Sequence, residues 1–445
     1  MKLYYDIKDK PKFPQLVVYA IQQLLAIMAA TLVVPLIIGN GMQPSAALFG
    51  AGIGTLVYVL FTKAKSPVFL GSSFAFLGSM AAAFAGAVST AAGYAGLIIG
   101  TAFAGLVYVV IALIVKLVGV GWIDKLMPKQ VIGPTVALIG LSLAGNAVGD
   151  LQKGKYLVDG ISTANPHIAI ICGLVTLFVT MACSTYGKKG VKLIPFIIGI
   201  LSGYAVAAIF TVIGIKTGND TLRVIDFAVF ADLKLFTVPD FTFITAAKGV
   251  KELDGSYIAT IAVAYLPVAF VVFAEHIADH KNISSIIEKD LLKEPGLHRT
   301  LLGDGVGSIV GAIFGGCPNT TYGESVACVA ITRNASVYTI ITAAIGAMLI
   351  AFFDPFVAFV DSIPSCVMGG VCMALYGFIA VSGLKMIKDV NLEENRNLFT
   401  VSVILIAGIG GLSLTFGKIT ITAIACALIL GIITNLILSK EKAAE

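Results

Sequence analysis

Charge is what this 445-residue chain has least of. Only 12% of its residues are Asp, Glu, Lys or Arg, against 58% hydrophobic, and its mean hydropathy is +0.96. That leaves too little polar surface for a soluble globule of this length. The seven cysteines have no CxxC spacing and fall in or beside apolar segments, which argues against a metal or disulfide framework and for small packing residues. No basic patch with interleaved aromatics is present, so the net charge of +5 gives no reason to expect a nucleic-acid partner. HExxH, GxSxG and Ser-His-Asp patterns are missing from the apolar segments, and an intramembrane enzyme is not expected. Neither a low-complexity segment nor a separate soluble domain stands out.

What the chain does have is long apolar runs, the mark of an all-α polytopic membrane protein. A helix needs roughly 20 apolar residues to cross the hydrocarbon layer. Fourteen candidate segments fall near 14–38, 46–62, 68–88, 93–118, 131–149, 167–184, 191–215, 255–280, 300–316, 322–333, 334–353, 364–382, 397–415 and 420–438. The charged stretch up to Lys12, followed by a run long enough to span, is not the pattern of a cleavable signal peptide. With loops alternating from a cytoplasmic N-terminus, most of the 30 Lys and Arg lie inside, among them Lys8, Lys63, Lys65, Lys188, Lys189, Lys281, Lys293, Arg299 and Lys385. That bias agrees with fourteen spans and both termini in the cytoplasm. The longest loop, 216–252, is expected outside, where its alternating run Phe227 to Phe236 has the pattern of a short strand or surface helix.

Two carboxylates interrupt these runs. Glu275 and Glu324 each lie in a stretch otherwise fit for lipid, and an acid at mid-membrane costs on the order of 3 kcal/mol, so such residues usually serve a substrate, an ion or a proton. Helical spacing puts Asp279 on the same face as Glu275, with His276 and His280 on the next face. The favoured reading of the two histidines is capping at the interface, with Lys281 marking the water boundary. A zinc site is disfavoured because no Glu follows His276 directly.

A weak repeat is also visible. Val17-Val18-Tyr19-Ala20 is echoed by Val271-Val272-Phe273-Ala274, and Ser72-Ser73-Phe74-Ala75 by Thr320-Thr321-Tyr322-Gly323, in the same order and at similar spacing. Seven spans per copy would insert the second copy upside down, giving an inverted repeat with a site between the halves. Pro67, Gly71, Pro318 and Gly323 interrupt the two echoed regions, so each is expected to be a broken span with a short extended segment and a half-helix. Amides of Phe74, Tyr322 and Gly323 at such half-helix ends suit a ligand offering C=O, while ionised carboxylates suit one offering N-H. A planar cyclic imide or amide offers both, and the Phe74 and Tyr322 rings are candidates to stack on it.

These stretches carry a family resemblance. Leu70-Gly71-Ser72-Ser73-Phe74-Ala75-Phe76, Ala274-Glu275-His276, Pro318-Asn319-Thr320-Thr321-Tyr322-Gly323-Glu324, Ala330-Ile331-Thr332-Arg333 and Val367-Met368-Gly369-Gly370-Val371 with Tyr376 resemble the nucleobase-ascorbate transporter family over essentially the whole chain. The match is to its bacterial uracil permease branch. The resemblance implies proton-coupled uptake of uracil or a close pyrimidine across the bacterial cytoplasmic membrane, with a purine permease for xanthine, urate or guanine as the alternative. It implies no cofactor other than the proton as coupling ion, and partners limited to nucleobase, protons, lipid and a candidate second copy of the chain.

By the same resemblance Glu275 and Glu324 would hold the N-H edge of the substrate, main-chain groups of Phe74, Tyr322 and Gly323 would complete the site, and Glu275, Asp279 and Tyr376 would couple the proton. A core domain would comprise 1–126 (spans one to four) and 253–356 (spans eight to eleven). A gate domain would comprise 127–252 (spans five to seven and the outer loop) and 357–445 (spans twelve to fourteen). The chain departs from the family pattern in three places: Ser325 and Ala327 stand where Asn and Gly are usual, and Asp279 where the best-known uracil symporter has His. Glu324 in place of Gln favours uracil. Asp304, opening the ninth span, leans towards purines unless it is a helix-start residue favoured by the N-terminal dipole.

Overall fold

The computed structural model describes residues 3–119, 121–122, 127–158, 161–416 and 419–439. The expected domain boundary at 126 and both chain ends fall partly outside these described residues.

Apolar runs become helices wherever no Gly or Pro cluster breaks them. In chain order these are α1 (Phe13–Ile38), α2 (Pro44–Phe61), α3 (Leu77–Ala85), α4 (Thr90–Val118), α5 (Lys129–Ser142), α6 (Ala144–Asp150), α7 (Pro166–Tyr186), α8 (Lys189–Leu193), α9 (Pro195–Thr217), α10 (Thr242–Gly249), α11 (Gly255–Ile287), α12 (Leu297–Gly315), α13 (Gly323–Thr332), α14 (Val337–Ile350), α15 (Asp354–Ser362), α16 (Ser365–Ile387), α17 (Asn395–Ile409) and α18 (Ala423–Leu438). Capping side chains set the starts of α4, α7 and α11: Ser89 accepts from the Ala92 amide at 3.0 Å, Asn165 from His167 at 2.9 Å and Asp254 from Tyr257 at 2.6 Å. Among the described residues, eight helices are long and apolar enough to cross a membrane, with α5 and α6 taken together. The outer-loop run Phe227 to Phe236 makes neither strand nor long helix; it holds a 3-10 turn, Phe227–Phe230, and a single bridge from Phe236 to Phe353.

Helix partnerships come in matched pairs. α1 packs on α14 as α4 packs on α11, and α2 meets α14 as α12 meets α4. Around a second cluster, α7 packs on α9 as α17 packs on α18, and α16 contacts α7 as α5 contacts α17. α2 crosses α12, and α5 crosses α16. The α2–α12 crossing is close because its contact is glycine: a Cβ on Gly50 would stand 2.5 Å from the Gly311 carbonyl oxygen, and one on Gly54 2.7 Å from that of Gly307. Small residues at this spacing let two backbones meet where lipid supplies no hydrophobic drive.

At the centre are the two interrupted segments. β1 (Leu70–Ser72) pairs antiparallel with β4 (Asn319–Thr321), Gly71 opposite Thr320. The small hairpins β2 (Leu157–Val158) with β3 (Ile161–Ser162), and β5 (Leu414–Phe416) with β6 (Ile419–Ile421), lie elsewhere. Three-residue strands buried among helices satisfy each other's backbone groups, the condition for extended chain at membrane depth.

Candidate functional site

Both broken segments turn into helices beside one cavity. β1 passes through a 3-10 turn, Phe74–Phe76, into α3, and β4 passes through Tyr322 into α13. Between these ends, α11 and α16 lies a cavity of about 510 Å³, within the usual range for a small-molecule site. Phe74, Glu275, Asp279, Tyr322, Gly323 and Glu324 all line it. Six of the seven residues singled out from the sequence are thus brought together. The seventh, Tyr376, sits behind Phe74 with ring centroids 6.1 Å apart in an edge arrangement, and its hydroxyl makes no hydrogen bond to Asp279.

Each acid is set by its element. Glu275 and Asp279, one helical turn apart on α11, are half-buried with Ala278 exposed between them, so this face of the helix is the cavity wall. Asp279 Oδ2 accepts from the Thr321 hydroxyl at 2.8 Å, and a Cβ on Gly323 would make an ordinary contact of 3.7 Å with Asp279 Oδ1. Glu324 belongs to the first turn of α13, where amides have no intrahelical carbonyl to bond and the dipole favours a negative or acceptor group.

Tyr322 plays a different part from the stacking expected of it. Its ring is buried, its hydroxyl donates to the Ser72 carbonyl at 2.7 Å and its amide donates to Phe69 at 3.2 Å. What remains for the cavity is the end of a strand, with the Gly323 amide next along. Phe74, partly exposed, is the aromatic face on offer.

The histidines overturn the interfacial reading. His276 and His280 are fully buried, their rings stacked at 4.0 Å. His276 Nδ1 lies 2.7 Å from Asp304 Oδ2 and its Nε2 2.9 Å from the Thr300 hydroxyl; His280 bonds the His276 carbonyl at 2.8 Å and the Tyr58 hydroxyl at 2.7 Å. Lys281 marks water only for its own face. Asp304 is no helix-start residue either: α12 begins at Leu297, and the carboxyl is buried mid-helix.

The sequence reading missed the mouth of the cavity. Ser184, Lys192, Ser382 and Met386 line it, and Lys192, on the short helix α8, is the one basic residue among the lining side chains described. No periodicity marks so short a helix. The two unusual signature positions also find places: Ser325 Oγ accepts from the Phe69 amide at 3.0 Å and meets the Gln23 side chain, and Ala327 lines the cavity. No cluster of His, Cys, Asp and Glu fit for a metal occurs among the described residues.

A Permease family profile (Xan_ur_permease) matches residues 14–416. The chain belongs to this permease family. It is a multi-pass membrane transporter, not an enzyme. The permease is 40% identical to a uracil permease of Bacillus caldolyticus over 447 aligned residues, covering 99% of this chain and 96% of that one. It is 37% identical to the uracil permease of Bacillus subtilis, with 99% and 96% covered, and 35% identical to that of Escherichia coli K12, with 97% and 93% covered. Among solved structures, the permease shares its fold with the transmembrane domain of a cyanobacterium bicarbonate transporter, BicA, at a TM-score of 0.61 and 15% identity, covering 97% and 100% of the two chains. Murine Slc26a9, an anion transporter in the inward-facing state, matches at 0.65 and 10% identity, with 97% and 69% covered.

Proposed function

We propose that this permease carries uracil, or a close pyrimidine, into the cell in symport with a proton. The single observation that carries the reading is the convergence of Glu275 and Glu324 with the Gly323 helix end and the Phe74 ring on one cavity. Carboxylates accept from ring N-H groups, first-turn amides donate to ring carbonyls, and an aromatic edge or face orients the ring. High similarity to uracil permeases along the whole chain favours a pyrimidine over the purine alternative.

Alternating access follows from an architecture of fourteen spans in a seven-plus-seven inverted repeat. The matched helix partnerships support it: exchanging α1 with α11, α2 with α12, α3 with α13, α4 with α14, α5 with α16, α7 with α17 and α9 with α18 maps each packed pair described above onto its counterpart. Residues 1–126 and 253–356 form the core, which holds the substrate, and 127–252 and 357–445 the gate, which rocks against it. Both termini lie on the cytoplasmic side of the inner membrane, and the cavity, lined at its mouth by Lys192 and Ser382, opens towards that side.

Glu275 is the proton carrier, with Asp279, one turn along α11, and Tyr376, behind Phe74, as the coupling residues. One proton moved inward down about 100 mV supplies roughly 2.3 kcal/mol, about a fifty-fold concentration ratio for a neutral cargo. A titration of purified protein with uracil, thymine, xanthine and urate at two pH values tests the substrate. Uracil is expected to bind tightest, and Glu324→Gln to weaken it about tenfold or more by loss of a charged acceptor. Xanthine binding tighter than uracil would make this a purine permease.

A further inference from the structure

The buried group behind the cavity wall has no assigned task. On the face of α11 turned away from the cavity, Asp304, His276, Thr300, His280, Tyr58 and Ser66 are all fully buried and hydrogen-bonded. Their acceptors fix where the protons sit. The Thr300 hydroxyl donates to the Leu297 carbonyl at 3.0 Å, so His276 Nε2 must bring its own hydrogen to that oxygen. One proton then lies between His276 Nδ1 and Asp304 Oδ2, 2.7 Å apart, and with it the pair is neutral overall. His280 Nδ1 faces the His276 carbonyl, which only accepts, so that nitrogen carries a hydrogen; its Nε2 meets the Tyr58 hydroxyl at 2.7 Å, which in turn donates to Ser66 Oγ at 2.7 Å.

Removing the shared proton disturbs this arrangement in a definite way. A carboxylate would face the Nδ1 lone pair, and relief requires the other tautomer of His276. Nε2 must then accept from Thr300, whose hydroxyl has to leave Leu297 in the first turn of α12. The consequence reaches Glu275, the residue before His276, because the same helix carries both. A further sign of an unsettled site is that Asp304 Oδ1 and the Tyr108 hydroxyl, both buried, have no hydrogen-bond partner among the described residues, and the Tyr108 ring stands edge-on to His276 at 6.4 Å.

We propose that His276 and Asp304 form a second protonatable pair, separate from the cavity acids, that positions Glu275: with its shared proton the pair holds α11 against α12, and loss of that proton is an additional ionisation that slows transport at alkaline pH. Groups packed against the pair are His280 on α11, Thr300 on α12, Tyr58 on α2 and Tyr108 on α4; Glu275 and Asp279 lie on the cavity face of the same helix, and Glu324 on α13 lines the cavity with them. His276 and Asp304 touch no substrate and are positioning residues. The proposal rests on proton-coupled transport for its rate assay only.

The test compares wild type, Asp304→Asn and His276→Asn as purified full-length proteins. An infrared pH titration without substrate should show a carboxyl ionisation that is absent from Asp304→Asn and displaced in His276→Asn. In proteoliposomes, Asp304→Asn, which has no such proton to lose, should keep uracil affinity within about threefold and move the alkaline limb of the rate profile up by about one pH unit or more. Should Asp304→Asn fail to fold, the displaced ionisation in His276→Asn decides. Titrations and rate profiles that superimpose on wild type in the variants that fold would overturn the proposal. A wild type that neither binds nor carries uracil would instead refute the transport assignment, leaving the infrared result to decide on the pair.

Discussion

The Tyr322 hydroxyl donates to the carbonyl oxygen of Ser72 at 2.7 Å, so the residue that leads into one half-helix is clasped by the strand that leads into the other. The fit around it is tight, since a Cβ on Gly71 would stand 2.4 Å from the Tyr322 ring and 2.9 Å from the Thr31 hydroxyl. Tyr322→Phe should therefore lower stability by about 1–3 kcal/mol, through a buried carbonyl that loses its donor. Gly71→Ala should do more, displacing the ring and weakening uracil binding about tenfold or more. Thermal unfolding in detergent, with and without uracil, reads both effects. A Gly71→Ala protein with native affinity would mean that the clasp does not shape the site.

Ser325, one of the two signature positions where the sequence resemblance leads to the expectation of Asn or Gly, does a structural job here. It accepts from the Phe69 amide, one residue ahead of β1, and touches the buried Gln23 on α1. Ser325→Ala is expected to cost about 1–3 kcal/mol for the orphaned amide. Because Phe69 also receives the Tyr322 amide, uracil affinity should fall with it. Unfolding curves set beside binding isotherms check this; an unchanged melting temperature would count against it.

The α2–α12 crossing should be intolerant of any added carbon. Gly50→Ala puts a Cβ 2.5 Å from the Gly311 backbone carbonyl, which cannot step aside, and the carbonyl of Gly50 itself accepts from the Asn319 side-chain amide at 3.1 Å. A loss of about 1–3 kcal/mol is expected from overpacking, seen as early aggregation on size-exclusion chromatography and a lowered melting temperature. A mutation of Gly145, which has open space where its Cβ would be, serves as the neutral control.

Tyr58→Phe separates structure from proton handling. It strips both His280 Nε2 and Ser66 Oγ of their hydroxyl partner, leaving these two 3.5 Å apart, so stability should drop by about 1–3 kcal/mol. The pH profile of transport should stay where it was, in contrast to Asp304→Asn. A shifted profile in Tyr58→Phe would extend the protonatable unit to His280.

Much of this was legible in the chain, and the gaps have physical causes. Glu275 and Glu324 stand out because a carboxyl inside an apolar run is costly, and the broken segments because Pro and Gly punctuate them. Both signals are local. Helix periodicity also placed Asp279 and Glu275 on one wall correctly. What it could not supply is the partner from elsewhere in the chain: His276 and His280 read as interfacial because Lys281 follows, whereas Tyr58 from α2 and Asp304 from α12 meet them in the interior. The helix-start alternative for Asp304 fails for the same reason, since the helix starts at Leu297, among charged residues that have the look of a loop. Tyr322 shows the limit for side-chain direction, because the residue before a half-helix can face the ligand or the opposite strand, and only the packing against Gly71 decides.

Coupling is the central claim, and radiolabelled uracil uptake into proteoliposomes with an imposed pH gradient tests it most directly. The wild type should accumulate uracil above equilibrium only when the outside is acidic, and Glu275→Gln should abolish that accumulation. Accumulation that ignores the gradient, or survives in Glu275→Gln, would contradict proton-coupled transport through this cavity.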